Sequence, residues 1–288
     1  MKDEKFALLL AVPIVIFAVG IVAYPIAYSL WMSLHYVNYY TREFTFTGAG
    51  QYVAALLNPD FSLFLFNTLR FTAESVIITL LLGMGFALVL NEVFVGRGLM
   101  RIIVLLPWAV SEYATAVIWR LMYGQEIGLF NGILYTLNLI DTPILFVNPI
   151  FAIEALTVAY SWHMIPLVTF FLLAGLQTIP EDLFKAAKID GAGALKRFRK
   201  IILPHLKYAM IVSLVLITME AARATDIIII LTGGGPGTAS ETLTFHIYRE
   251  LFQNLKVGVA SAYSFILIAI VIAITIVYFY LLVRQKEK

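Results

Sequence analysis

Long apolar runs alternate along this chain with short stretches in which charge, glycine and proline collect. The runs cover residues 6–33, 67–90, 101–123, 149–177, 205–231 and 259–283. Hydrocarbon about 30 Å thick needs about 20 helical residues to cross it, so each run is a candidate membrane span. The first run follows a charged lead, Met1 to Lys5, but is too long for a signal peptide and has no small-residue cleavage site at its end. It reads as a retained span. Residues 35–66 are mixed and aromatic, with Thr47, Gly48, Asn58, Pro59 and Asp60 as turn signals, and a short helix is expected over 51–57. Asn91, Glu92, Gly96, Arg97 and Gly98 mark a tight hairpin. Residues 124–148 read as a loop with a partial re-entry, because their apolar stretch, 133–140, is too short to cross. Residues 232–258 read as an external segment opened by Gly233, Gly234, Gly235 and Gly237.

Composition agrees with that pattern. At 61% hydrophobic and 13% charged residues the chain departs from soluble domains, where about 25% charged is usual. The expected fold is an all-α integral membrane protein of roughly six transmembrane helices, a single transmembrane domain over 1–288 with no large soluble domain. With no cysteine, disulfides and thiolate-held metals are excluded. His35, His205 and His246 are dispersed and form no metal-ligand spacing. A net charge of +2 gives no reason to expect a nucleic-acid partner.

Where the positive charges fall is more informative, because short cytoplasmic loops retain Lys and Arg. With the N-terminus inside, the inner segments hold Lys2, Lys5, Arg97, Arg101, Lys185, Lys188, Lys196, Arg197, Arg199, Lys200, Lys207, Arg284, Lys286 and Lys288. The outer segments hold Arg42, Arg120, Arg249 and Lys256. The expectation is a multi-pass cell-membrane protein with both termini cytoplasmic, some of its basic residues touching lipid headgroups.

The most charged stretch, 178–204, lies between the fourth and fifth spans. Thr178 and Glu181 have capping-box spacing, with Pro180 in the first turn and Glu181 and Asp182 at the positive end of the helix dipole. Leu183, Phe184, Ala186 and Ala187 give this helix a partly apolar, closely approachable surface suited to a groove on another protein. Asp190 and Gly191 break it, residues 192–202 form a second, basic helix, and Pro204 ends that one. The expected shape is an elbow.

The run IPEDLFKAAKIDGAGALKRFRKIILPHL, through Ala186, Ala187, Asp190, Gly191, Ala192, Ile201, Leu203 and Pro204, closely resembles the cytoplasmic EAA loop of permease subunits of binding-protein-dependent ABC importers. LTGGGPGTASETLTFHIYRELF, Leu231 to Phe252, is similar to the segment after the penultimate span in carbohydrate-type permeases, those for maltose, trehalose and glycerol phosphate. One position departs from the motif: Lys185 stands where its leading Glu is expected. The resemblance implies that the elbow is a coupling helix docked on a cytoplasmic ATPase through Leu183, Phe184, Ala186, Ala187, Asp190, Gly191 and Ala192. It also implies a second permease, two ATPase subunits and an external sugar-binding protein as partners. ATP and Mg would belong to the ATPases, with no cofactor and no enzymatic activity in this chain, and no G-x-x-x-x-G-K-[ST] run is present. The glycines at 233–237 lack a following Lys-Ser or Lys-Thr and read as a helix-releasing turn.

Polar groups inside the spans are the candidates for substrate contact, because they are costly in hydrocarbon. Glu220, Arg223 and Asp226, three residues apart in turn, fall near one helix face. Two readings stay open for them: a salt-bridge network that locks the fifth span, or acceptors and donors for sugar hydroxyls. Trp108 and Glu112, one turn apart after Pro107, and Trp162 and His163, just before Pro166, offer aromatic faces and polar groups of the same kind. Arg70, Glu74 and Glu154 read as structural. The rival function is a stand-alone carrier driven by an ion gradient through Glu112, Glu220 or Asp226. An intramembrane enzyme lacks a His–Asp pair, a Ser–Lys pair or a metal cluster to support it.

Overall fold

The computed structural model describes residues 12–13, 15–38, 41, 43–126 and 128–283. The charged lead, the start of the first span at Phe6, Arg42 and the basic tail with Arg284, Lys286 and Lys288 lie outside the described residues.

A wide-turned helical stretch, Ala18–Ala23, runs into α1 (Tyr24–Ser33), and a hairpin follows, β1 (His35–Asn38) with β2 (Glu43–Phe46). It is antiparallel, with His35 opposite Phe46 and Asn38 opposite Glu43. Then come α2 (Gly50–Leu56), α3 (Phe61–Asn91), α4 (Arg97–Ala109), α5 (Glu112–Met122), α6 (Leu129–Thr136) and α7 (Ala152–Leu176). The charged stretch forms α8 (Glu181–Ile189) and α9 (Ala194–Arg197), and α10 (Lys207–Arg223), α11 (Asp226–Leu231), α12 (Leu243–Tyr248) and α13 (Val257–Val283) complete the chain.

Hydrocarbon leaves no partner for an unpaired backbone group, so apolar runs of this length become helices. Among the described residues, four are long and apolar enough to cross alone: Val15–Ser33, Phe61–Asn91, Ala152–Leu176 and Val257–Tyr280. Two bent pairs bring the number to six, Arg97–Ala109 with Glu112–Met122 at 95° and Ala194–His205 with Lys207–Arg223 at 69°. The second span starts at Phe61 rather than 67, because Asn58 accepts the Asp60 amide at 2.9 Å and the turn closes directly onto the helix. The expected short helix at 51–57 is α2. Within the stretch expected to re-enter, the chain forms the short helix α6, in which Asn131 bonds the carbonyls of Gly124, Gln125 and Ile144 and accepts the Ile144 amide.

The chain forms two compact units. The first takes the described residues up to Ser62 together with His246–Ala269. Tyr263 is fully buried there, donating to the Ala55 carbonyl at 3.1 Å and packing on Phe61 and His246. The second unit takes Leu63–Phe245 and the described residues from Ile270 onward. Its core includes Phe71, Leu156, Tyr160 and Leu172, and α3 approaches α7 so closely at Gly83 that a Cβ would sit 2.8 Å from Val168. Arg70 pairs with Glu74 at 2.9 Å and with Glu154, and Thr157 donates to Glu74 at 3.2 Å. These groups thus pair with one another within the unit, in line with the structural role expected of them.

Candidate functional site

The third and fifth spans are not continuous helices, and both interruptions belong to the second unit. After α4 the backbone turns extended at Val110 and Ser111, with ψ of 141° and 152°. Ser111 then caps α5, its hydroxyl accepting the Ala114 amide at 3.3 Å. The interruption leaves the Pro107 carbonyl without its helical partner, and His163 Nδ1 on α7 donates to it at 2.9 Å. Thr115 Oγ1 lies 3.5 Å from the same ring nitrogen. His163 is therefore buried, and its Nδ1 caps the end of α4. The expected Trp108–Glu112 turn does not exist, because the 95° bend puts the two residues on different helices. Trp108 instead lines an apolar cavity of about 380 Å³ with Leu105, Leu167, Phe170, Phe171 and Ala174. Trp162 packs edge-on against Trp119, ring centres 6.0 Å apart.

The fifth span breaks at Ala224, whose ψ of 115° takes it out of the helix, and Thr225 donates its hydroxyl to the Arg223 carbonyl at 3.0 Å. This separates the expected trio. Glu220 and Arg223 remain paired within α10, with N–O distances of 2.5 to 3.0 Å. Asp226, across the break, is exposed at the first position of α11 and forms no ion pair with Arg223. The three-residue spacing brings side chains together only while the helix is unbroken.

The two breaks meet through side chains. The Ile227 amide, in the first turn of α11, donates to Glu112 Oε1 at 3.3 Å, so a residue of α5 supplies the cap that Thr225 does not. At the other end of α11, Arg120 Nη1 donates to the Ile230 carbonyl at 3.1 Å. An acid at the N-terminal end and a guanidinium at the C-terminal end both oppose the helix dipole of α11. Two side chains of α5, Glu112 and Arg120, therefore grip both ends of α11, and the two short helices run parallel. Glu112 lies within electrostatic range of Asp226, Glu220 and Arg223, and Tyr160 within range of Glu112, Glu220 and Arg223. Tyr160 is only 1% exposed, and its hydroxyl has no hydrogen-bond partner among the described residues. Sequence pattern does not single out Tyr160 or Arg120; the signals available are a hydroxyl inside an apolar run and a cation near the end of one.

The elbow has a different character. None of the residues of α8 or α9 is buried, and Ile189 is 87% exposed. Leu183, Ala186, Asp190 and Gly191 are exposed, whereas Phe184, Ala187 and Ala192 are half-buried. The helix stops as expected: Gly191 takes φ +67°, its amide bonds the Lys188 carbonyl at 3.1 Å and the Ala192 amide the Ala187 carbonyl at 2.8 Å. These two bonds are a Schellman cap, which needs a left-handed residue where glycine is favoured. The capping box does not form. Thr178 turns back to donate to the Gly175 carbonyl at 2.8 Å, and Pro180 precedes α8 instead of lying in its first turn. Nor does Pro204 end the basic helix. Widened turns over Phe198–Ile202 carry it on through Leu203–His205 to Leu206, after which α10 departs at 69°. Lys185 bonds Asp182 at 3.0 Å and lies 3.9 Å from Glu181, so its charge is offset within its own helix. Gly175, where a Cβ would meet Leu206 at 2.8 Å and Ala209 at 2.9 Å, lets α7 and α10 close the base of the elbow.

Residues 79–287 match the family described as binding-protein-dependent transport system inner membrane component. The chain is 40% identical to the trehalose/maltose transport system permease protein MalF of Thermococcus litoralis, over 96% of this chain and 93% of that protein. It is 35% identical to the trehalose transport system permease protein SugA of Mycobacterium tuberculosis, over 96% and 89%. Its fold is similar to a chain in the crystal structure of a bacterial ABC transporter involved in the import of the acidic polysaccharide alginate, at a TM-score of 0.84 and 20% identity, covering 100% of this chain and 98% of that one. A family match over most of the chain, with relatives aligned along nearly their whole length, settles the assignment: the chain belongs to the binding-protein-dependent transport system inner membrane components, the multi-pass permease subunits of ABC importers.

Proposed function

We propose that this permease subunit serves an importer of sugars and forms half of the pathway, with a second permease supplying the other half. The observation that carries the sugar assignment is the 40% identity, over nearly the full length, to a trehalose/maltose permease. The geometry supports it. Glu112, Glu220, Arg223 and Asp226 gather at two helix interruptions inside apolar spans, offering carboxylate acceptors and a guanidinium donor fork of the kind that sugar hydroxyls engage. Trp108 and His163 are absent from this reading because their side chains serve elsewhere.

The whole chain, 1–288, acts as one transmembrane domain with both termini and the 178–204 loop in the cytoplasm, a reading supported by the distribution of basic residues. The exposed elbow docks on one of two ATPase subunits through Leu183, Phe184, Ala186, Ala187, Asp190, Gly191 and Ala192, and the two ATPases carry the ATP and Mg. An external binding protein delivers the sugar. Disruption of the elbow tests the coupling. Proline cannot adopt the φ of +67° held by Gly191, so Gly191→Pro should cut ATP-driven uptake by about tenfold or more while the complex still assembles in the membrane. Normal uptake by an assembled Gly191→Pro complex would overturn the docking assignment, and uptake driven by an ion gradient without ATP would overturn the importer reading.

A further inference from the structure

The first unit holds a cavity that the functional reading has not used. It measures about 410 Å³, within the range of small-molecule sites, and Tyr36, Asn38, Gln51, Asn254 and Lys256 supply its polar lining. Tyr36 and Asn38 come from β1, Gln51 from α2 and the remaining two from the segment between α12 and α13, so three separate stretches of chain converge on it.

Its walls are held in an uncommon conformation. After α12 the helix continues in widened turns over Arg249–Gln253, and the Asn254 amide closes them onto the Arg249 carbonyl at 2.9 Å. Leu255 then takes φ +57°, a left-handed conformation disfavoured for a non-glycine residue. That reversal puts Asn254 and Lys256, its two neighbours, on the cavity lining together. Glu250, itself buried, braces both: it accepts from the Asn254 amide group at 2.7 Å and pairs with Lys256 Nζ at 3.5 Å. Gly258 lies so close to β1 that a Cβ would collide with the His35 carbonyl, so the chain beside the cavity admits no side chain there. Strain of this kind persists where surrounding structure over-determines it, and it is concentrated at ligand sites.

We propose that this cavity is a binding subsite for a neutral saccharide, placed on the side of the membrane from which the sugar arrives. The inference rests on the sugar-importer reading and adds a second place where this chain meets its substrate. The side-chain amides of Asn38, Gln51 and Asn254 together bring donors and acceptors to the lining, the combination that adjacent hydroxyls of a pyranose require, and the Tyr36 ring supplies an apolar face for the C–H side of the sugar. Glu250 offsets the Lys256 charge, so the lining favours a neutral sugar over a phosphorylated or acidic one.

Because the chain has no cysteine, a single introduced thiol reports on the cavity. Tyr36→Cys and, separately, Asn254→Cys are made in the complete transporter in nanodiscs, and alkylation of this subunit by a water-soluble maleimide is timed with and without trehalose or maltose. Thr41→Cys, at the exposed tip of the hairpin, is the control. Saturating sugar should slow both cavity thiols by about fivefold or more, as mass action requires of an occupied site, and should leave the control unchanged. Glucose 6-phosphate should protect less than the neutral sugars. Uptake of trehalose or maltose with no protection at either cavity thiol would overturn the subsite and leave the sugar reading intact. Protection that appears only on adding the binding protein, or equally at Thr41→Cys, would also overturn it. Absence of any sugar uptake by the unmodified transporter would overturn both.

Discussion

Glu112 occupies the first position of α5 and at the same time accepts the amide of Ile227 in α11, so one carboxylate serves two helix starts. Losing a helix cap costs about 0.5 to 2 kcal/mol, and an acid near the positive end of a helix contributes about 0.3 to 1 kcal/mol more. Glu112→Ala removes both contributions, whereas Glu112→Gln keeps an oxygen in place for the Ile227 amide. For a chain of this size, with about 2 to 4 °C per kcal/mol, the alanine variant should lower the thermal midpoint of the assembled transporter by several degrees and the glutamine variant by less than half as much. Equal losses in the two variants, measured in one detergent and at one lipid content, would count against the capping role. At His163 the sequence showed only a lone imidazole in an apolar run. Its purpose depends on a carbonyl at Pro107, far away along the chain, so local pattern had no access to it.

At the scale of elements, the breaks at 110–111 and 224–225 are the main departure from the expected architecture. Each has a local signature in hindsight: Ser111 followed by Glu112, and Thr225 followed by Asp226, are the residue types that start helices. Hydropathy averages across such pairs because the flanking residues are apolar, so each run reads as one span. The elbow was more legible, since Asp190–Gly191 punctuates a polar stretch with no competing signal. Its base depends on Gly175, where a Cβ would sit 2.8 Å from Leu206 and 2.9 Å from Ala209, leaving no space for a larger residue. Gly175→Val should therefore force α7 and α10 apart at an overpacking cost of about 1 to 3 kcal/mol, seen as a lower thermal midpoint and reduced coupling. Adding Leu206→Ala should restore part of the loss by vacating one of the two contacts, and no restoration would place the defect elsewhere.

For the whole molecule, the inside–outside assignment rests on the bias of Lys and Arg, and the cysteine-free chain makes it simple to test. Thr41→Cys and Ala192→Cys, each in intact cells, should divide cleanly. An impermeant maleimide should label position 41 directly and position 192 only after the membrane is opened. The reverse result would invert the topology and with it the side on which the ATPases bind. Labelling at both positions in intact cells would rule out a six-span crossing pattern.

The order of residues alone is enough to show a multi-span helical membrane protein, roughly where the spans lie, and an elbow that turns at Gly191. Those features follow from local physics: hydrocarbon forces a long apolar run into a helix, and a left-handed turn after a helix asks for glycine. Packing in three dimensions sets where two spans stop being continuous, separates Asp226 from Arg223, and lets Glu112, Arg120 and His163 satisfy helix ends elsewhere in the chain. A helix can end inside an apolar span only if its freed backbone groups find partners, and here those partners come from helices remote in sequence.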